Sequence, residues 1–283
     1  MTLKENHKSS IQVKDYAVTG EVFNLIYDSS LDVLHTTPKP KSDDLGRYYE
    51  SDNYISHTDS KQNITDKLYQ TVKKHMLRKK LAIVKKYRKK GKILDIGAGT
   101  GDFLKEAQSE GWEIYGVEPN ETAREGASKK GINLESTIDA ISEQFDVITM
   151  WHVLEHVEDT NAQVEWLQKK LSKDGVVFIA VPNFKSYDAK KYKEFWAAYD
   201  VPRHLFHFSQ NAIEKIFAAY NFEIVDTKPL WFDSFYVSIL SEKYMNKKFA
   251  FLRGMVTGLL SNFSAMRTTE YSSLIYVLKQ VKN

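Results

Sequence analysis

Cysteine is missing from this chain of 283 residues. Its absence excludes disulfide bonds, catalysis by a thiolate and zinc sites with cysteine ligands. A reducing, cytoplasmic environment fits this composition and is the location that we expect. Also lacking is any uninterrupted apolar run of about 18 residues, so we expect no transmembrane helix. The polar residues 1–10 do not contain the apolar core of a signal peptide.

The chain also lacks an excess of one charge sign. Its 40 basic and 37 acidic residues are mixed and give a net charge of +3. Because nucleic-acid binding needs a concentrated basic surface, we expect no nucleic-acid partner. The one dense basic run, residues 85–90, ends a predicted helix over residues 63–90, where it complements the helix dipole. A contact with an anionic surface or nucleic acid is the alternative interpretation of that run.

Short apolar segments alternate with helical ones from residue 92 onward. This order predicts an α/β fold with a mostly parallel sheet of seven strands and helices on both faces. The last strand follows a long crossing segment, so we expect it to be antiparallel. The predicted strands cover residues 92–96, 113–118, 132–135, 145–150, 176–181, 222–227 and 271–278.

The other segments predict the domain organisation. Residues 1–62 are expected to form an N-terminal segment with a lid, irregular as far as residue 46, and residues 63–283 the α/β domain. Two insertions interrupt that domain. The first, residues 183–208, is rich in aromatic residues, and the second, residues 230–265, is largely helical.

A glycine-rich turn follows the first predicted strand. Gly97, Gly99 and Gly101 stand at alternate positions between strand and helix. Glycine lets the backbone approach a ligand closely, and the helix N-terminus beyond it offers free N–H groups. The turn alone indicates a nucleotide-like ligand and does not identify it.

Two carboxylates narrow the choice of ligand. Asp95 precedes the glycines, where it would repel a pyrophosphate but suit a ligand with an ammonium group. Glu118 ends the second strand, where a carboxylate can accept hydrogen bonds from both ribose hydroxyls. Binding of a nicotinamide or flavin dinucleotide is the alternative, but the spacing of the glycines differs from the dinucleotide pattern.

Four motifs in order resemble the class I S-adenosylmethionine-dependent methyltransferases, which have a Rossmann-like fold. They lie at residues 94–101, 116–120, 145–157 and 171–183 and are similar to the ubiquinone-biosynthesis O-methyltransferase-like group. The resemblance implies S-adenosyl-L-methionine as cofactor and places the adenine near residues 136–140. The expected cofactor-binding residues in these motifs and beside the adenine are Asp95, Ile96, Gly97, Ala98, Gly99, Gly101, Phe103, Glu118, Pro119, Asp139, Trp151 and His152.

The segment after the fourth strand also fits a zinc-peptidase pattern. His152 and His156 are four residues apart with Glu155 between them, which on one helix would let both histidines share a metal ion. We expect no metal, because the residues leave a strand and enter a loop. The favoured roles are cofactor packing for His152 and proximity to the methyl group for His156. A structural role for both is the alternative.

Candidate catalytic residues lie beyond the carboxyl edge of the sheet, where ligands of open α/β folds bind. His204 is the first choice for a general base, with His156 as the second candidate. A histidine that only fixes its loop is the alternative for His204. Tyr49, Tyr54 and His57 lie in a tyrosine-rich segment that resembles a lid over the cofactor, or else are surface residues.

The second insertion has two interpretations. The helical spacing of its apolar residues predicts a packed cap over the sheet. Alternatively, it is a hydrophobic entrance for a lipid-like substrate, with peripheral membrane contact through its basic residues. Those basic residues are Lys243, Lys247, Lys248 and Arg253.

The sequence therefore predicts a methyltransferase that acts on a small-molecule acceptor, at oxygen by preference, with a lipid-like or quinone-precursor substrate among the candidates. A binding scaffold without turnover and a protein methyltransferase are the alternatives. We expect a monomer or homodimer. Similar proteins begin with a zinc ribbon held by cysteines, which this chain cannot form.

Overall fold

The computed structural model describes residues 10–41, 44, 46–49 and 64–281, and for residues 64–72 the backbone alone. Tyr54 and His57 of the expected lid lie outside the described residues. The strands are β1 (Ser10–Lys14), β2 (Val22–Asp28), β3 (Val33–Thr37), β4 (Lys92–Ile96), β5 (Glu113–Val117), β6 (Phe145–Trp151), β7 (Leu171–Pro182), β8 (Phe206–Phe208), β9 (Phe222–Pro229) and β10 (Ser273–Gln280). The helices are α1 (Ile64–Tyr87), α2 (Asp102–Ser109), α3 (Glu121–Ser128), α4 (Thr160–Lys170), α5 (Tyr187–Tyr192), α6 (Gln210–Ala218), α7 (Asp233–Tyr244) and α8 (Ala250–Thr268).

The main sheet of the described residues has six strands in the order β5-β4-β6-β7-β10-β9. Pairing is parallel from β5 to β7, and β10 is antiparallel to both of its neighbours, as predicted. Alternate residues of β4 enter two different cores, since Ile93 packs with Leu81 of α1 and Leu94 packs with Val164 of α4. Both faces of the sheet are therefore covered by helices.

The predicted third strand, residues 132–135, is wrong as a strand. Within the described chain this segment contributes a single bridge, from Glu135 to Val117. The N–H group of Ile132 is used by the carbonyl oxygen of Ala127 at the end of α3, and the side chain of Ile132 is buried beneath that helix. Of this segment only Glu135 reaches β5, where its N–H group donates to the carbonyl oxygen of Gly116 and its own carbonyl oxygen accepts from Glu118. The expected seven strands become six for this reason.

Residues 10–37, expected to be irregular, instead form three strands of a second sheet. Its order is β1-β2-β3-β8, with every pairing antiparallel. The fourth strand, β8, comes from the first insertion. Phe23 and Leu25 of β2 pack with Trp196 of that insertion in a separate core. The sequence pattern missed this sheet because its strands are short and one of its partners is distant in the chain.

The two insertions differ from the simple patterns that predicted them. Residues 183–208 contain α5, two 3-10 helices (Lys193–Phe195 and Ala197–Tyr199) and β8. In residues 230–265, α7 and α8 pack closely, since a Cβ on Gly254 would lie 2.5 Å from Cα of Ile239.

The large apolar residues of α8 face away from α7, which contradicts the expected packed cap. Small residues fill the contact between the two helices, so the large side chains are left on the surface. No helix in the described part of the chain is long and apolar enough to cross a membrane. The exposed apolar residues of α8 are Phe251, Leu252, Met255, Val256, Leu259, Leu260, Phe263 and Met266.

The basic run at the end of α1 is paired with acidic neighbours. Lys85 lies 2.7 Å from Glu110, and Arg88 lies 3.3 Å from Asp146. These pairs are partly exposed to solvent. They favour the interpretation of the run as a solvated helix end.

The guanidinium of Arg203 joins the first insertion to the N-terminal sheet. Its side chain is 1% exposed and donates to Asp15 at 2.9 Å, to Asp200 at 2.6 Å and to the carbonyl oxygen of Tyr48 at 2.7 Å. These two carboxylates hold the pKa of Arg203 well above its usual range despite burial. The charge is buried but fully paired, which is the condition under which a buried ion is tolerated.

We predict that Arg203→Met lowers the free energy of unfolding by about 3–5 kcal/mol, because it leaves Asp15 and Asp200 without their shared cation. Chemical denaturation measures this loss. The control is Lys169→Met, which removes an exposed pair with Glu165 and should cost about 1 kcal/mol or less. Equal effects of the two variants would contradict the role of Arg203.

Candidate functional site

The glycine turn leaves β4 and enters α2 with its three glycines in the left-handed region. The φ angles of Gly97, Gly99 and Gly101 are 70°, 54° and 72°. A Cβ on Gly97 would lie 2.4 Å from a methyl group of Val153, so glycine lets the segment after β6 approach the turn. A Cβ on Gly99 would meet no described atom within 4 Å. The turn therefore has open space at its centre, where a ligand can approach the backbone.

Glu118 stands next to this open space, directly after β5. One carboxylate oxygen accepts from the N–H group of Gly99 at 2.8 Å, and the other accepts from the N–H group of Asn120 at 2.9 Å. Each carboxylate oxygen can accept more than one hydrogen bond. Glu118 is thus held in a fixed orientation with acceptor capacity left for two hydroxyl groups, as a ribose requires.

Asp95 is buried at the end of β4, with 2% of its surface exposed. Burial raises the pKa of its carboxyl group to about 7, against the opposing effects of a hydrogen bond from Thr149 at 2.6 Å and of the Lys80 ammonium. A carboxyl group with this pKa gains from a further cation in contact with it. The site therefore fits the ammonium group that the sequence predicted beside Asp95.

Trp151 is the last residue of β6 and His152 follows it, at the same edge of the sheet. The ring of Trp151 packs edge-to-face on Phe103 with 5.4 Å between centroids, and the Lys80 ammonium lies 4.6 Å from the indole centroid. His152 has a φ of 59°, and its N–H group donates to the carbonyl oxygen of Ala180.

The imidazole of His152 is ion-paired rather than simply packed. Nε2 lies 3.1 Å from Asp233 and Nδ1 lies 3.4 Å from Glu155. Burial opposes a charge on the ring, but these two carboxylates outweigh it and raise the pKa of His152 to about 9. His152 is therefore a cation at neutral pH. Asp233 was not predicted as its partner, because it belongs to the second insertion, far from His152 in the chain.

The remaining expected cofactor residues surround the turn at different depths. Ile96, Ala98 and Phe103 are buried, so they support the turn from beneath. Pro119 is exposed beside Glu118. Asp139 is exposed in a 3-10 helix, Ile138–Ala140, as a side chain beside an adenine would be.

The two candidate catalytic histidines lie together although 48 positions separate them. The rings of His156 and His204 are 4.6 Å apart between centroids. The N–H group of Leu205 donates to the carbonyl oxygen of Glu155 at 2.8 Å, which joins the first insertion to the segment after β6. Tyr49 of the expected lid reaches the same place, since its hydroxyl oxygen lies 3.4 Å from Nδ1 of His156.

His204 is buried and neutral. Its Nδ1–H group donates to the carbonyl oxygen of Ala198 at 2.9 Å, which leaves the lone pair on Nε2. Burial, helped by the nearby His156, lowers the pKa of His204 to about 4. A base this weak holds a proton poorly at neutral pH. Its geometry suits a hydrogen-bond acceptor or a ligand better than the general base that the sequence suggested.

His207 does not pack against the following helix. Its Nε2 lies 3.1 Å from the hydroxyl oxygen of Thr36 on β3, and its ring packs edge-to-face on Tyr199. It therefore helps to join β3 to the first insertion, and its ring centroid lies 6.2 Å from that of His204.

Comparison with known proteins identifies the fold and the motifs. A family model described as a methyltransferase domain matches residues 69–227, more than half of the chain. Ubiquinone biosynthesis O-methyltransferases of Erwinia tasmaniensis and Vibrio atlanticus are 32% identical over 106 residues and 36% identical over 109 residues. Each alignment covers 34% of this chain, and 44% and 46% of those enzymes. The chain thus spans less than half the length of these relatives.

Solved structures share the fold at lower identity. Magnesium protoporphyrin IX methyltransferase from Synechocystis with bound SAH is 15% identical, with a TM-score of 0.56 over 85% of this chain and 100% of that one. A cyclopropane synthase from Mycobacterium tuberculosis is also 15% identical, with a TM-score of 0.53 over 86% and 99% of the two chains. These likenesses confirm the Rossmann-like fold. The chain therefore belongs to the methyltransferase-domain family, among the class I S-adenosylmethionine-dependent methyltransferases.

Proposed function

We propose that this protein transfers a methyl group from S-adenosylmethionine to an oxygen atom of a small-molecule acceptor. The observation that carries the proposal is the pair of carboxylates, Asp95 and Glu118, on either side of the open glycine turn. Both are already oriented by the protein, Asp95 by Thr149 and Glu118 by two backbone N–H groups. This preorganisation favours a ligand with one ammonium group and two adjacent hydroxyl groups.

When bound, the cofactor would supply a sulfonium methyl group, whose carbon an oxygen nucleophile can attack in line while the C–S bond breaks and neutral S-adenosylhomocysteine leaves. In our proposal Glu118 accepts hydrogen bonds from the ribose hydroxyl groups, and Asp95 pairs with the ammonium group. The buried ring of Phe103 and the half-buried ring of Trp151 are proposed to close one side of the site to water. Positioning and water exclusion account for most of the rate in a displacement of this kind.

The acceptor is proposed to bind beside His156, His204 and Tyr49. Tyr49 keeps its proton, because burial raises its pKa to about 12, so it can donate a hydrogen bond. His204 can accept one at Nε2. These groups fit a hydroxylated acceptor, and their meeting in one place favours an enzyme over a binding scaffold without turnover.

A lipid-like acceptor is supported by the surface of α8. Its apolar row, which includes Phe251, Leu252 and Met255, is exposed, and Arg253 stands on the same helix. Such a helix can contact a lipid tail or a membrane surface from one side. Together with the relatives named for ubiquinone biosynthesis, this favours a quinone precursor with an apolar tail as the acceptor.

We predict that the affinity for the cofactor depends on pH because of Asp95. The ammonium group binds the ionised carboxylate, so affinity should rise with pH and level off above the raised pKa of about 7. Calorimetry with S-adenosylhomocysteine should show about tenfold tighter binding at pH 8 than at pH 6. Asp95→Asn should bind weakly at both values. The same pH dependence in Asp95→Asn would contradict the assignment, and Asp174→Asn, at an exposed position outside the site, serves as the control.

We predict that the rate of methyl transfer depends on His204. With a labelled methyl group and a catechol that carries an isoprenoid tail, we expect O-methylated product by mass spectrometry. His204→Ala should lower kcat by about 100-fold or more and leave the Kd for S-adenosylhomocysteine within about twofold. His35→Ala, on the exposed side of β3, should change neither value. Faster methylation of the matching aromatic amine would contradict the preference for oxygen.

A further inference from the structure

Glu155, His156 and His204 each present one ligand atom to the same small volume, and these three atoms lie within 4.8 Å of one another. Glu155 and His156 belong to a 3-10 helix, Leu154–His156, that follows β6, whereas His204 comes from the first insertion. The group is thus assembled by the fold from two distant parts of the chain. None of its members contacts solvent freely, since two are buried and His156 is half-buried.

The carboxylate of Glu155 has an unusual environment. The residue is 1% exposed, and neither side-chain oxygen accepts a hydrogen bond from any residue that the structure describes. The nearest described cation is His152, whose Nδ1 lies 3.4 Å from Oε1. A buried carboxylate without hydrogen-bond donors is costly unless an ion compensates it. Among the described residues His152 is the one ion-pair partner of Glu155. One oxygen of Glu155 also lies within 4.8 Å of a ring nitrogen of both His156 and His204.

Both histidines are oriented in the same way. Nδ1–H of His156 donates to the carbonyl oxygen of Arg203 at 3.0 Å, and Nδ1–H of His204 donates to the carbonyl oxygen of Ala198 at 2.9 Å. These bonds fix the tautomer and place the lone pair of each ring on Nε2. A backbone carbonyl behind each ring is the usual support of histidines that bind metal ions.

We propose that Glu155, His156 and His204 bind one divalent transition-metal ion of the zinc type. Two imidazoles and one carboxylate are a typical ligand set for such an ion, and three protein ligands leave a position open for an exogenous oxygen. Metal–ligand bonds of about 2.0–2.2 Å require the three groups to close by about an ångström. His156 is half-buried and can make that movement. The sequence pattern suggested His152 and His156 as the pair, but His152 is committed to Asp233.

The ion would act on the acceptor. This role rests on the proposed function, whereas the proposal that the three residues bind a metal ion does not rest on it. An acceptor hydroxyl on the open position loses its proton to water more easily, because the cation stabilises the oxyanion that remains. In this form of the site Nε2 of His204 binds the ion instead of accepting a hydrogen bond from the acceptor, and no general base is needed.

The test is metal binding by the untagged full chain after treatment with a chelator. Titration with CoCl₂, followed by visible absorption, and calorimetry with ZnCl₂ should show one ion per chain. Glu155→Gln keeps the shape of the side chain and should weaken binding by about 10–100-fold or more. His204→Gln should do the same. The matched controls are Glu158→Gln and His35→Gln. They make the same two kinds of replacement at residues outside the group, so both variants should bind the metal ion like the parent protein.

Two outcomes would overturn the proposal. One is the absence of stoichiometric binding of either ion, and the other is equal binding by the parent protein, Glu155→Gln and His204→Gln. Melting temperature and affinity for S-adenosylhomocysteine verify that each variant is folded. The proposed metal site and the proposed function can be contradicted independently of each other. Metal binding without methyl transfer would contradict only the proposed function, and transfer without metal binding would contradict only the metal site.

Discussion

The buried guanidinium of Arg203 is the interaction on which the candidate site depends. It joins Asp15 of the N-terminal sheet, Asp200 of the first insertion and the backbone at Tyr48. One residue further along, His204 is thereby placed against His156. The carbonyl group of Arg203 also orients His156 directly. A small antiparallel sheet thus fixes the side of the site where the acceptor is proposed to bind.

The parallel strands supply the other side of the site. Three neighbouring strands, β5, β4 and β6, end at one edge, and their carboxyl ends carry Glu118, Asp95 and Trp151. Each carboxylate there is already oriented by other groups of the protein, so a ligand that binds loses little free energy in ordering these side chains. Val153 packs on Gly97 and keeps the segment that begins with His152 close to the turn. Because Gly97 has no side chain, the cofactor side and the acceptor side of the site can lie next to each other.

Local chemistry explains what the sequence could predict. The alternation of strands and helices, the antiparallel last strand and the positions of Asp95 and Glu118 depend on residues close together in the chain, and they were confirmed or placed as expected. Apart from the strand at residues 132–135, what failed depended on distant partners. The second sheet needs β8 beside β3, the ion pair of His152 needs Asp233, and the role of Arg203 needs Asp15. These contacts form only when the chain folds and buries the residues. The sequence does not indicate which residue of opposite charge will pair with a given charged residue.

A crystal structure of the complex with S-adenosylhomocysteine would test the central claim most directly. The account predicts the ribose hydroxyl groups within hydrogen-bond distance of both Glu118 oxygens, the ammonium group beside Asp95 and the sulfur facing His156 and His204. A nucleoside bound away from the glycine turn, or a sulfur on the opposite side of the turn from the two histidines, would contradict it.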